Sequence, residues 1–483
     1  MGQIASNPPT IKFSRTGTAI LTAGFIVGIA ITLGLANTGS ISFVIALPVA
    51  ILMVGAICVF FANPVLNLMA AILGFVLMAS NETGFQAIEI AYAAYLLVLL
   101  MTWLLRHAFF DPEKILTEKA DWALAIFLGL LPVTLILTGV FQGEFRIAAS
   151  ELLSLSMLLI YFPVKHTVAY HKLGPKIILV TMIVMCSTVA LSNTFNYASD
   201  LSNAISLSHI AGSRVVVNDG LLMIGALMSL ILLVYARGPT SVLLSISALA
   251  LTFAGLIMTQ SRGSWLAFLL GTLSLILLVR TPARIKLLTI GGSITLVILG
   301  VGYALIGPFL NVVLEGIIER FGSITMAFSQ DLSLVNRFRE TSAVFEKIIV
   351  NPLIGYGPGV SYLFYDIVHQ VTHTDSFVHN GYVGLWYKYG LWGLGLVLYF
   401  WYSSIKSGLY AFRSDVSDRW ARLAGLAGAV PLVALTVSTL TQNPFFLKNY
   451  LFVIALAAGL ATGAGQRISQ KLNTSTPPIT NHG

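Results

Sequence analysis

Charge is what this sequence has least of. Only 10% of its 483 residues are Asp, Glu, Lys or Arg, against 57% hydrophobic. Soluble domains carry about a quarter charged residues. The deficit excludes a soluble globular chain and points to a multi-span helical membrane protein. The apolar runs also lack alternation, which excludes a transmembrane β-barrel. Cysteine is scarce: Cys58 and Cys186 are the two present, both inside apolar runs. They exclude a disulfide framework and read as buried thiols. No internal repeat is visible, so the simplest signature of an inverted-repeat transporter is missing. The first apolar run, 18–36, is followed by nothing that resembles a cleavage site, so no removable signal is expected. Clustered metal ligands, a nucleotide fingerprint and paired membrane carboxylates for a divalent metal are also lacking. The Gly355–Gly359 turn follows no strand and precedes no Lys-Ser/Thr pair, which makes it a weak phosphate loop. No cofactor and no metal site are expected.

What is present is apolar length. About fourteen runs are long enough to span a bilayer: 18–36, 41–61, 64–80, 85–105, 122–140, 146–163, 175–192, 218–236, 241–259, 263–279, 286–310, 380–402, 423–441 and 449–464. The expected fold is all-α and polytopic, with about 12–14 transmembrane helices and one large helical loop on the outer face. With the N-terminus inside, 18 of the 27 Lys and Arg residues fall in cytoplasmic segments. That bias accounts for the net charge of +8 through topology and anionic lipid, so no nucleic-acid partner is implied. The expected division is 1–310 as N-terminal transmembrane helices, 311–378 as the outer loop, 379–465 as C-terminal transmembrane helices and 466–483 as a disordered cytoplasmic tail.

The outer loop reads in parts. Residues 312–328 have apolar positions at helical spacing, an interfacial helix. Residues 332–350 read as a second helix, with Arg337, Arg339, Glu340, Glu346 and Lys347 on polar positions and Phe338, Val344 and Ile348 on the other face. Asn351-Pro352 ends it, because proline disfavours helix at the preceding residue. A glycine turn and an aromatic patch of Tyr356, Tyr362, Phe364 and Tyr365 follow. A further outer segment, 193–217, is modestly polar and suits the interface.

The candidate functional residues cluster at this outer boundary. His379 stands where the loop re-enters an apolar run. An imidazole there can take a proton from a hydroxyl near neutral pH, with His373 and Asp375 near enough to orient it, or Asp375 can itself be the base. Capping of the following helix or a hydrogen bond among aromatics is the alternative for His379. Arg262 falls between two spans, where a guanidinium can pair bidentately with phosphate or snorkel to headgroups. Arg337 and Arg339 point about 200° apart on a helix, so only one can face a given pocket. Their plainer reading is a solvated helix pairing Arg339 or Lys347 with Glu340 or Glu346. Glu89 lies inside a span, as a functional or a partnered structural carboxylate. Lys388 reads as facing a wet cavity or snorkelling, and the glycines at 381, 384, 390, 393 and 395 as helix-packing positions.

Three motifs make the chain resemble the O-antigen ligase and O-antigen polymerase superfamily of membrane glycan transferases. They are Gln260-Ser-Arg262-Gly-Ser-Trp265; Asn336-Arg337 with Asn351-Pro352-Leu-Ile-Gly355-Tyr-Gly357; and His379-Asn380 followed after nine residues by Gly390-Leu-Trp-Gly393. They cover about residues 258–396. The family pattern favours an aromatic four residues after Arg337, where this chain has Thr341.

The resemblance implies a metal-independent, inverting transferase in the bacterial inner membrane, working on the periplasmic side. Its donor would be an undecaprenyl diphosphate-linked glycan. Its acceptor would be a glycolipid such as lipid A–core for a ligase, or a growing carrier-linked glycan for a polymerase, with ligase the first expectation. Arg262 and Arg337, with Arg339 less directly supported, would hold the diphosphate. His379 would activate the acceptor hydroxyl, and Asp375, Asn380 and Glu89 would orient or support. Envelope polysaccharide assembly proteins are possible partners. A transporter of polysaccharide or lipid-linked oligosaccharide is the alternative from another class, and a non-catalytic assembly partner is a third. A transporter would need polar residues at mid-depth in several spans, whereas these candidates gather at one face.

Overall fold

The computed structural model describes residues 63–78, 87–109, 113–202, 218–289, 292, 332–367 and 369–475. In chain order its labelled helices are α1 (Pro64–Gly74), α2 (Ala87–Phe109), α3 (Lys119–Val140), α4 (Phe145–Ser156), α5 (Tyr161–Tyr170), α6 (Gly174–Ser202), α7 (Asp219–Val234), α8 (Pro239–Met258), α9 (Arg262–Leu278), α10 (Leu332–Val350), α11 (Gly381–Arg413), α12 (Arg419–Ser438) and α13 (Lys448–Ser475). Two strands, β1 (Tyr362–Asp366) and β2 (Val371–Asp375), form an antiparallel hairpin.

Among the described residues, seven helical stretches are long and apolar enough to cross a membrane. They are Ala91–Phe109, Lys119–Val140, Phe145–Tyr170, Gly174–Tyr197, Pro239–Met258, Arg419–Ser438 and Lys448–Thr474. Pro64–Met78, Asp219–Val234 and Arg262–Leu278 are shorter apolar helices. The chain is a polytopic helical membrane protein. The expected runs 18–36 and 41–61, most of 286–310, Cys58 and the interfacial helix at 312–328 lie outside the described residues. So does most of 193–217, although its first residues continue α6 to Ser202.

The chain divides into two compact units, 1–71 with 90–114, and 72–89 with 115–483. In the first, α1 and α2 are joined by tyrosines: Tyr92 Oη donates to the Ala71 carbonyl at 2.7 Å, and Tyr95 Oη to Asn67 Oδ1 at 2.5 Å. The rest concerns the second unit. At its centre α13 is almost wholly buried, and α11 and α12 pack on it through small residues. A Cβ on Gly428 would lie 2.4 Å from the Ala457 carbonyl oxygen, so the backbones meet directly there.

Polar groups fix the helix ends. Asp418 caps α12 by accepting from Ala421 N–H at 3.1 Å. It also binds Arg467 Nε at 2.7 Å and Lys471 Nζ at 2.5 Å. α13 runs through Ser475, so helix takes up the first part of the tail expected to be disordered from 466, and 476–483 lie outside the described residues. Arg467 donates to the carbonyls of His171 and Lys172, and Arg419 to that of Tyr235. The basic connections between helices therefore converge on one end of the unit. The opposite end carries α10, the hairpin and the starts of α7, α9, α11 and α13.

The hairpin stands where a loop with helices, a glycine turn and an aromatic patch was expected, and it adds strand to that loop. Tyr362 and Asp366 face inward while Leu363 and Tyr365 face out, a period of two that suits a strand. Tyr362, Val378, Val383 and Tyr387 form a small core with Val344 and Ile348 of α10.

Candidate active site

The site is built around a broken helix. At Gly390, φ is 65° and ψ is −174°, so α11 loses its helical path. The break frees the carbonyls of Tyr387 and Lys388 and the N–H of Leu391. The loop after α10 takes up all three. Tyr356 N–H donates to Tyr387 O at 2.9 Å, Gly357 N–H to Lys388 O at 2.8 Å, and Leu391 N–H to Pro352 O at 3.0 Å. Only glycine fits at 390, since a Cβ would stand 2.1 Å from the Leu353 carbonyl oxygen. Gly390 is therefore a break point, where the sequence suggested a helix-packing glycine.

Lys388 completes the same joint. It is 0% exposed, correcting the expectation of a wet cavity or a snorkelling side chain. Its Nζ binds Glu151 Oε1 at 3.3 Å and donates to the Val360 carbonyl at 2.8 Å, while Gly359 N–H donates to Glu151 Oε2 at 3.1 Å. Thr138 Oγ1 adds a bond to Pro358 O at 2.7 Å. The glycine turn at 355–359 is thus locked onto α3, α4 and α11.

On this base, α10 brings a carboxylate to His379. Glu340, Val344 and Ile348 are spaced four apart on one face, and all three are buried. Glu340, only 2% exposed, holds His379 twice: Oε1 accepts its backbone N–H and Oε2 meets its Nδ1, both at 2.6 Å. The His379 side chain remains 42% exposed, so the ring faces outward from its buried partner. Neither expected orienting group reaches the ring. Asp375 accepts from Phe377 N–H at 2.9 Å, and His373 lies toward Asp366. Asn380 caps α11 by accepting from Tyr382 and Val383 N–H at 3.1 and 3.2 Å. Tyr362 lies beneath, its Oη donating to Phe377 O at 2.7 Å. Burial, with Glu340 and Asp375 nearby, pushes its phenol well above the ordinary range, so it stays protonated.

The polar turn between α12 and α13 gathers the remaining parts. Thr439 O accepts from Gly381 N–H at 2.9 Å, and Asn443 Nδ2 donates to Val378 O at 2.7 Å, which fixes both sides of His379. Thr441 O accepts from Arg337 Nη1 at 2.8 Å. Thr441 also abuts α9: a Cβ on Gly263 would lie 2.8 Å from its Oγ1. The neighbours of Arg262 and the side chain of Arg337 therefore share one threonine. Gln442 Nε2 donates to Asp219 Oδ2 at 2.7 Å. Asp219 accepts as well from Ser261 and Ser264 Oγ and from Tyr450 Oη, each at 2.7 Å. Trp265 Nε1 donates to Leu256 O at 3.0 Å. The companions of Arg262 in its motif are scaffold, setting the start of α9.

The structure thus brings His379, Arg337 and the Arg262 segment to one end of the unit. Arg339 is exposed on another face of α10. Glu89 belongs to α2, and its side chain lies outside the described residues. Phe338, expected on the apolar face, is exposed, while Glu340 takes the buried face.

Residues 247–400 match the family model described as O-antigen ligase. That segment, about a third of the chain, is similar to the O-antigen ligase family. It contains the Arg262, Arg337 and His379 motifs and the break in α11 with the loop that caps it, while Thr138 and Glu151 lie before it. No curated protein matches the chain significantly.

Sequence reasoning missed Glu340 as the partner of His379, and it missed Asp219, Glu151, Thr441, Gln442 and Tyr450. One signal for Glu340 was present: an acid in register with a buried stripe at 344 and 348. Another was the polar run Thr441-Gln442-Asn443 interrupting two apolar segments. The pairing of Asp219 with residues more than 200 positions away leaves no local trace.

Proposed function

We propose that the chain transfers a glycan from a lipid diphosphate carrier to an acceptor sugar hydroxyl, as an O-antigen ligase-like enzyme. The observation that carries this reading is the buried Glu340 carboxylate on His379 Nδ1, 2.6 Å away, inside the family-matching segment. With Nδ1–H donating to Glu340, the Nε2 lone pair is free to accept a proton. The acceptor O–H gives its proton to Nε2 while its oxygen attacks the anomeric carbon. The bond from that carbon to the diphosphate oxygen breaks, and the electron pair leaves on the diphosphate. Attack from the face opposite the leaving group inverts the anomeric centre.

Arg337 and Arg262 supply positive charge to the leaving diphosphate in a site partly shielded from water. In this reading undecaprenyl diphosphate is the donor carrier, and the His379 end lies on the periplasmic side of the inner membrane. Lipid A–core is the favoured acceptor. A polymerase would use the same chemistry on a growing carrier-linked chain.

The test is transfer by purified protein in lipid nanodiscs, given a lipid diphosphate-linked glycan and a lipid A–core acceptor. His379→Ala is expected to slow transfer about 10²–10⁴-fold, the usual worth of a positioned general base. Arg337→Ala is expected to cost roughly tenfold to a hundredfold, as for a charge-assisted hydrogen bond. Full activity in both variants would refute the mechanism. Transfer to a carrier-linked glycan but not to lipid A–core would reassign the acceptor.

A further inference from the structure

The tip of the β1–β2 hairpin gathers three ligand-type side chains that the transfer chemistry does not use. Asp366 ends β1, His369 sits in the turn and His373 lies on β2 opposite Phe364. Their ligand atoms all lie within 4.8 Å of one another. His369 Nδ1 is 2.8 Å from Asp366 Oδ2, and His373 Nε2 is 3.9 Å from the same oxygen. No local pattern groups them, because the hairpin that folds the three together was itself unforeseen.

We propose that Asp366, His369 and His373 form a binding site for a zinc-class divalent cation. A hydrogen bond to Asp366 accounts for His369, but 3.9 Å is too long for one from His373. A shared cation accounts for both. Around a tetrahedral zinc ion with N and O ligands near 2.1 Å, the ligand atoms stand about 3.4 Å apart. The observed spacings lie on either side of that value, and both imidazoles are exposed and able to turn. Two imidazoles and one carboxylate suit zinc and its transition-metal neighbours rather than magnesium or calcium, which favour oxygen.

Only Asp366 is buried, and it is held by the fold: its Oδ1 accepts from His369 N–H at 3.1 Å. Next to it, Ile367 N–H donates to Asn336 Oδ1 at 3.1 Å, beside Arg337. A bound cation would therefore tie the hairpin turn to β2, the strand that leads through Asp375 to His379. The remaining coordination positions would be open to water or to a partner.

The experiment is zinc titration of the full-length protein, purified without a histidine tag, against a chromophoric chelator. Wild type is expected to take up one more equivalent of Zn²⁺ than the His369→Gln/His373→Gln double variant. Each single variant is expected to weaken that equivalent by about tenfold or more, since even an outer-shell partner is worth 10–100-fold. The ligand field of added Co²⁺ provides a second readout, with the nitrogen-ligated spectrum present in wild type and absent in the double variant. Equal Zn²⁺ uptake by wild type and double variant, or no uptake by wild type, would overturn the proposal.

Discussion

At the scale of single residues, the site depends on which side chain touches which. His379 and Arg337 could be singled out as candidates because a histidine and an arginine next to apolar runs have few plain reasons to be there. Glu340 was not, since on a helix with several charges any acid can pair locally with a lysine or arginine. Burial against Val344 and Ile348 takes Glu340 away from those partners and gives it to His379. Lys388 was misjudged for the same reason, its partner Glu151 being 237 residues distant. Breaking that pair from one side leaves a carboxylate unpaired in the interior, which costs about 3–5 kcal/mol. Lys388→Met is expected to lower the thermal midpoint in detergent by several degrees, and adding Glu151→Gln to recover part of it. A double variant less stable than the single one would show that the pair is not the stabilising unit.

At the scale of elements, periodicity located most helices. The second helix of the long loop is found at 332–350, where the apolar spacing and Asn351-Pro352 placed it. The hairpin was hidden within an aromatic patch, and the break in α11 needs the amides of Tyr356 and Gly357 from 31 residues earlier. Neither follows from a local pattern. A charge clamp holds the start of α12 to the end of α13. Burial raises the Asp418 carboxyl, but hydrogen bonds from Lys471 and Arg467 outweigh this and hold it down at about 2. Its unfolded value is about 3.9. A carboxyl lower in the folded state stabilises the fold above the unfolded value and loses that contribution as pH falls toward the folded one. Asp418→Asn is therefore expected to lower the thermal midpoint at neutral pH, with the gap from wild type narrowing below about pH 4. A gap unchanged between pH 7 and pH 3 would contradict the clamp.

At the scale of the whole molecule, composition alone was enough to establish a polytopic helical membrane protein. The direction of insertion rests on the basic residues, of which Arg419, Arg467 and Lys471 gather around Asp418 at one end of the second unit, away from His379. Sidedness can be measured by labelling engineered cysteines with an impermeant maleimide after Cys58 and Cys186 are replaced. Thr372→Cys, on the exposed face of β2, is expected to label in intact cells with a permeable outer membrane. Asp415→Cys, beside the clamp, is expected to label only after the inner membrane is opened. The reverse pattern would put the site in the cytoplasm and remove a periplasmic acceptor.

The most direct measurement is a double-mutant cycle on the rate of glycan transfer, using Glu340→Gln, His379→Ala and the two combined. If the carboxylate acts through the imidazole, the combined variant should be no slower than His379→Ala alone. Losses that multiply, or a His379→Ala protein that transfers at the wild-type rate, would show that the two groups do not form one catalytic unit.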